Sequence, residues 1–111
     1  MPRKYVPKRG DIVFTNFDPA AGHEQAIRRP ALVLSPEPFN RKIKLALVAP
    51  ITSRIRGHGF EVELEGSETH GAVLCHQIKT IDYDARGIHF VESAPEAIVQ
   101  NALAIVRVLV M

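Results

Sequence analysis

Short apolar runs, separated by prolines and glycines, fill most of the chain. Ile12 to Phe17 follows the turn signal Arg9-Gly10-Asp11 and reads as a strand. Residues 31–35, ALVLS, lie between Pro30 and Pro36, and residues 44–49, KLALVA, stop before Pro50. Runs this short and so punctuated predict strands rather than helices. Residues 60–64, FEVEL, set Phe60, Val62 and Leu64 against Glu61 and Glu63. That alternation predicts a half-buried antiparallel strand with both glutamates in water. Residues 72–81, AVLCHQIKTI, predict one bent strand or two short ones.

Near the C-terminus the period changes. Ile98, Val99, Ala102, Leu103, Val106 and Leu109 or Val110 recur at helical spacing and form one apolar stripe. Ser93 and Glu96 have the spacing of a capping box, and Pro95 is tolerated in a first turn. Five or more strands and one terminal helix, with no room for βαβ units, predict a mainly β fold. The expected form is a small barrel or strongly curled sheet with the helix packed on it.

Composition narrows the class. The chain has 111 residues, 46% hydrophobic and 23% charged, which predicts a single folded domain over residues 1–111. No apolar stretch approaches the roughly 18 residues of a membrane span. The opening MPRKYVPKRGD lacks the apolar region of a signal peptide. Cys75 is the only cysteine, so no intrachain disulfide can form and a reducing, cytoplasmic setting is expected. The net charge of +2 hides an asymmetry. Residues 1–56 carry 11 Lys/Arg against 4 Asp/Glu, whereas residues 57–111 carry 3 against 8. A basic face of this kind attracts polyanions, nucleic acid first among them.

Two segments carry candidate chemistry. Between the first two predicted strands, 13 residues (18–30) make a long hairpin loop holding His23, Glu24, Gln25, Arg28 and Arg29. Arg29 is anchored by Pro30 where a strand begins, so its planar fork can be aimed. His23 and Glu24 can exchange protons. After the third strand, Pro50-Ile51-Thr52-Ser53-Arg54-Ile55-Arg56-Gly57 supplies two hydroxyls and two arginines, an anion site in composition. Arginines and hydroxyls bind a phosphate, and a carboxylate or imidazole moves protons. Together they suit cleavage of RNA, whose 2′-hydroxyl is a built-in nucleophile. The histidines at 23, 58, 70, 76 and 89 lack compact ligand spacing, and no nucleotide cradle or nucleophile elbow is present. No metal or cofactor is expected.

Over nearly its whole length the chain resembles the MazF/PemK family of toxin–antitoxin ribonucleases. The shared text is YVPKRGD at 5–11, FDP at 17–19, GHEQ at 22–25 and RPALVLSP at 29–36. It continues with a proline and hydroxyls at 50–53, QIKTID at 77–82 and ARG at 85–87. The resemblance implies an SH3-like curled barrel (CcdB/PemK-like) with a C-terminal helix. It implies a cytoplasmic homodimer that cleaves single-stranded RNA, usually mRNA, at short sequences without a metal. The products would be a 2′,3′-cyclic phosphate and a 5′-hydroxyl, and a MazE-like antitoxin would block the RNA groove. It assigns Arg29 and Thr52 to the scissile phosphate, Glu24 to the general base, and His23 to proton transfer or substrate holding. Gln25, Arg28, Ser53, Arg56, His76 and Gln77 are the expected RNA contacts, with Phe14 or Phe39 as stacking aromatics.

One position departs from the family pattern. The aspartate common before the glutamine is His76 here, and the arginine two positions earlier is Leu74. The PemK-type proton assignment therefore does not carry over. His76 either replaces the acid-base group, belongs to an altered specificity pocket, or is a surface histidine. Two other readings remain at this level. One is a CcdB-like gyrase-binding toxin, which would work through its C-terminal tip, VRVLVM. The other is an inactive RNA-binding module.

Overall fold

The computed structural model describes residues 4–16 and 28–111. Among these residues, seven strands and two helices follow one another as β1 (Asp11–Asn16), β2 (Arg28–Val33), α1 (Glu37–Ile43), β3 (Ala46–Thr52), β4 (Glu61–Glu63), β5 (Ala72–Leu74), β6 (Lys79–Ile81), β7 (His89–Ser93) and α2 (Glu96–Val110). The strands are antiparallel in the order β4-β5-β3-β2-β1-β7, with β6 also pairing β3. The expected mainly β architecture with a C-terminal helix holds. The sheet is curled rather than closed, and β4 and β7 end the order.

The middle strands read as continuous apolar runs because both faces are covered. One face packs Ile12, Leu32, Ala49 and Ile51 with Val62, Leu64 and Val73 beneath Ile98 and Ala102 of α2. The other packs Val13, Ala31, Val33, Ala46 and Val48 with Ile81 and Tyr83. Strand β3 is the hinge of the curl. It pairs with β2 along one side, and on the other with β6 at Ala46–Val48 and then β5 at Ile51–Thr52.

Several expectations are corrected. Pro50 does not stop the third strand, since it pairs with Ala31 inside the ladder. Strand β2 begins at Arg28 instead of Ala31. The 72–81 stretch forms two short strands, β5 and β6, one of the two forms expected. The capping box is not formed. Pro95 occupies the cap of α2 without a side-chain bond, and Ser93 still belongs to β7. Glu61 does not simply face water, because its carboxylate accepts the Arg56 and Gly57 N–H groups, each at 3.0 Å. The apolar stripe of α2 buries Ile98, Val99 and Ala102, but Leu109 and Val110 are exposed.

Helix α1 and strand β7 are additions to the expected elements. Helix α1 starts after Pro36 and ends at Lys44, which takes the left-handed conformation and donates its N–H to the Asn40 carbonyl at 2.9 Å. Asn40 is fully buried. Its amide donates to the Pro7 and Ser35 carbonyls at 2.9 and 3.0 Å, and its Oδ1 accepts from the Ser35 hydroxyl. Tyr83 completes the cluster by donating to the Asn40 carbonyl at 2.9 Å. A polar side chain so buried is tolerated because its partners replace the water it lost.

Candidate functional site

Arg28 and Arg29 are strand residues, paired across β1·β2 with Asn16 and Thr15. Arg29, Ala31 and Val33 alternate to one face of β2. On the neighbouring strand the register sets Val33 opposite Val48 and Ala31 opposite Pro50. Arg29 lies two residues beyond this last pair on β2 and Thr52 two beyond it on β3, at the same end of the two strands. Accordingly, Arg28, Arg29, Thr52, Ser53, Arg54 and His70 line one cavity of about 520 Å³, with Pro30 and Ile51 behind them. Arginine and hydroxyl donors converge there at the end of a rigid sheet, the composition of an oxyanion or phosphate site.

Local bonds fix these groups. The Thr52 hydroxyl oxygen accepts the Arg54 N–H at 3.1 Å, which leaves the hydroxyl proton to be donated elsewhere. The Arg28 guanidinium lies 5.7 Å from the Phe14 ring centroid, and one of its nitrogens donates to the Gly87 carbonyl at 3.4 Å. Gly71 carries φ +129°, and a Cβ there would sit 2.2 Å from the Thr52 carbonyl oxygen. The backbone before β5 can approach Thr52 only because this residue is glycine. The preceding turn is clamped from β7. The Glu92 carboxylate accepts the Thr69 hydroxyl and N–H at 2.6 and 2.7 Å and the Glu68 N–H at 3.1 Å. The Thr69 hydroxyl bond is the largest influence and lowers the Glu92 pKa; burial opposes it, and the Glu68 and Thr69 N–H bonds and the neighbouring His70 add to the lowering. The same clamp holds His70 at the cavity wall.

A second cavity, of about 270 Å³, shares Thr52 and Arg54 with the first. Its other walls are Arg56, His58, Phe60, Glu61, Leu74, His76 and Gln77. Three rings meet there. His58 stacks on Phe60 at 4.9 Å with an 18° interplanar angle, and His76 meets Phe60 at 4.0 Å and 60°. Gln77 Nε2 and His76 Nε2 are 3.2 Å apart. The ion pairs Lys4–Asp84 and Arg41–Glu37 involve no residue of either cavity.

The structure thus gathers Arg28, Arg29, Thr52 and Ser53 at one cavity, and Thr52, Arg56, His76 and Gln77 at the other. His23, Glu24 and Gln25 lie outside the described residues. Neither expected stacking aromatic lines these cavities. Phe14 lies by Arg28, while Phe39 lines a separate apolar cleft with Leu103 and Val106. His58, Phe60, Glu61 and His70 were not among the expected site residues. His58 and His70 are isolated histidines in sequence, and Phe60 reads as an ordinary core position of an alternating strand. Only the pairing of β3, β4 and β5 brings them to Thr52. Cys75 is buried beside this region, and burial pushes its thiol up to about 11, which suits a packing role. Among the described residues, no three His, Cys, Asp or Glu groups are placed to hold a metal ion, and no helix is long and apolar enough to cross a membrane.

Residues 8–110 match the family of PemK-like, MazF-like toxins of type II toxin–antitoxin systems. The chain is 46% identical over 87 residues to the endoribonuclease toxin MazF of Escherichia coli K12, covering 78% of each chain. It is 43% identical over 106 residues to the endoribonuclease PemK of Escherichia coli, covering 91% of this chain and 80% of that one. The MazE–MazF crystal structure from Deinococcus radiodurans superposes with a TM-score of 0.89 at 38% identity, covering 96% of this chain and 97% of the matched one. The chain belongs to the PemK-like, MazF-like toxin family of type II toxin–antitoxin systems.

Proposed function

We infer that this chain is a sequence-specific endoribonuclease toxin acting on single-stranded RNA. The observation that carries the reading is the convergence of Arg29 from β2 and Thr52 from β3 on one cavity, in a member of a family whose relatives are named endoribonucleases. The scissile phosphate occupies this cavity. Glu24, from the segment between β1 and β2, removes the proton from the 2′-hydroxyl, and His23 assists. The 2′-oxygen forms a bond to phosphorus as the bond to the 5′-oxygen breaks, and that oxygen takes up a proton passed to it through His23. Arg29 and the Thr52 hydroxyl stabilise the extra negative charge on the phosphorane. The products are a 2′,3′-cyclic phosphate and a 5′-hydroxyl. The groups named supply a base, a proton-transfer partner and charge stabilisation, so the reaction is proposed to proceed without a metal.

The partners follow from the same reading. A MazE-like antitoxin neutralises the enzyme, by analogy with the MazE–MazF complex that this fold matches. The chain acts as a cytoplasmic homodimer of one domain per subunit. Support for self-association comes from the last turns of α2, where Val108, Val110 and Met111 are 71%, 73% and 91% exposed. The adjoining cleft is lined by Gly59, Phe60, Ala104, Ile105, Val108 and Leu109. A second copy would cover these apolar groups. Incubation of the purified protein with a mixed RNA pool in EDTA tests the chemistry. Short common cleavage words with cyclic-phosphate ends are expected. Ends bearing 5′-phosphate, or no cleavage until a divalent metal is added, would contradict the mechanism.

A further inference from the structure

We propose that His70 is a further phosphate-binding residue, whose imidazole takes up a proton as the strand's phosphate enters the cavity and releases it as the strand leaves. The proposal rests on the ribonuclease reading for its ligand, a phosphodiester strand, and on separate geometry for the residue. His70 is not an expected RNA contact in the sequence. The fold alone brings it to the cavity of about 520 Å³ that Arg28, Arg29, Thr52 and Arg54 line.

The backbone is fixed on both sides of this residue. Before it, Thr69 donates its N–H and its hydroxyl to the Glu92 carboxylate of β7 at 2.7 and 2.6 Å. After it, the Gly71 carbonyl accepts the Leu64 N–H at 2.8 Å, and Gly71 packs on the Thr52 carbonyl with no room for a side chain. His70 itself is exposed. An exposed ring on a backbone held from both ends samples few positions, and this one is held at the cavity wall.

The charges around the ring pull in opposite directions. Arg28 and Arg29 of β2 and Arg54 after β3 line the same cavity and oppose another positive charge there. Glu92 of β7 favours the imidazolium, and the His70 charge in turn is among the influences that lower the Glu92 pKa. Glu68, in the same turn, is exposed to water. Among the described residues, no carboxylate lines the cavity. A phosphodiester entering it supplies the missing negative charge and reverses the balance. Arginine is already charged and cannot respond, whereas imidazole changes charge between about pH 5 and 8. Strand and proton therefore bind cooperatively, each raising the affinity for the other. The proton comes from solvent and returns there, so the transfers through Glu24 and His23 are unaffected.

The probe is a mixed-sequence 2′-O-methyl RNA, which presents phosphodiesters but lacks the nucleophile. Binding is followed at low salt by NMR of the histidine rings and by calorimetry in buffers of different ionisation enthalpy. The His70 ring should titrate at higher pH with the strand bound than without it, and binding near neutral pH should take up protons. This residue should strengthen binding by about fivefold between about pH 8 and 6, the worth of one added charge at contact distance in water. His70→Asn should lose that part of the rise. His70→Lys, charged throughout, should bind at the higher pH as the native protein does at the lower. An unchanged His70 titration would overturn the proposal, as would equal pH dependence in His70→Asn and the native protein, or a strand that does not bind. Failure of these tests in a protein that cuts all-ribose RNA would overturn the His70 contact and leave the ribonuclease reading standing. A shifted His70 titration in a protein that cuts no RNA would support the contact and overturn that reading.

Discussion

Arg29 and Thr52 owe their use to adjacent strands, so each can be tested with little risk to the fold. Arg29→Ala removes a charged donor aimed at the phosphorane and should lower kcat by about 10²–10³-fold with a native thermal melt. Unchanged turnover in single-turnover assays would reject the assignment. Gly71 is a different kind of residue. Its φ of +129° and the 2.2 Å approach of a built Cβ to the Thr52 carbonyl mean that Gly71→Ala must displace backbone beside the site. Loss of both activity and thermal stability is expected, and a variant that melts and cleaves normally would show that the close approach is not needed. Asn40 tests the fold alone. Asn40→Ala strands the buried Pro7 and Ser35 carbonyls and should cost roughly 2–3 kcal/mol in urea unfolding.

At the scale of elements, the Glu92 clamp joins the edge strand β7 to the turn that carries His70. Its folded-state pKa is lowered, so its contribution to stability is complete above the ordinary carboxylate range and disappears as pH falls through the depressed value. Melting temperature should therefore fall on acidification by more in the native protein than in Glu92→Gln. Equal acid sensitivity in the two would remove the clamp from the account. Much of this architecture was legible in the sequence. FEVEL showed its alternation, and Ile98, Val99 and Ala102 showed their helical face. Strand β7 was not legible, because His89, Phe90 and Val91 are all exposed at a sheet edge and leave no inward-outward pattern. Helix α1 was hidden for another reason. Its seven residues include a proline, and its one buried side chain is the polar Asn40. Pro50 misled because a missing N–H usually ends a strand, yet here it lies within β3 between two buried faces. The site divided similarly. Arg29 stands directly before Pro30 at a predicted strand entry, and Thr52 in the hydroxyl- and arginine-bearing stretch that follows Pro50. His58, Phe60 and His76 meet only through the pairing of β4 with β5.

For the whole molecule, the charge asymmetry of the chain becomes a local one. Arg28, Arg29, Arg54 and Arg56 all border the two joined cavities. Strand binding should weaken with salt, and removing Arg54 or Arg56 should reduce the logarithmic salt slope by about 0.7 for each phosphate no longer neutralised. A slope unchanged in the double variant would move the RNA path elsewhere. Self-association belongs to the same scale, because Phe60 lines both the smaller cavity beside Thr52 and the apolar cleft under α2. A dimer formed over that cleft would border the RNA site. Light scattering should show a dimer at concentrations where cleavage is full, and a monomer there would overturn the arrangement. The most direct test of the central claim is cleavage of two otherwise identical RNAs in EDTA, one carrying a single 2′-deoxy nucleotide at the mapped scissile position. The all-ribose strand should be cut, and the substituted strand should resist. Equal cleavage of both would contradict that claim.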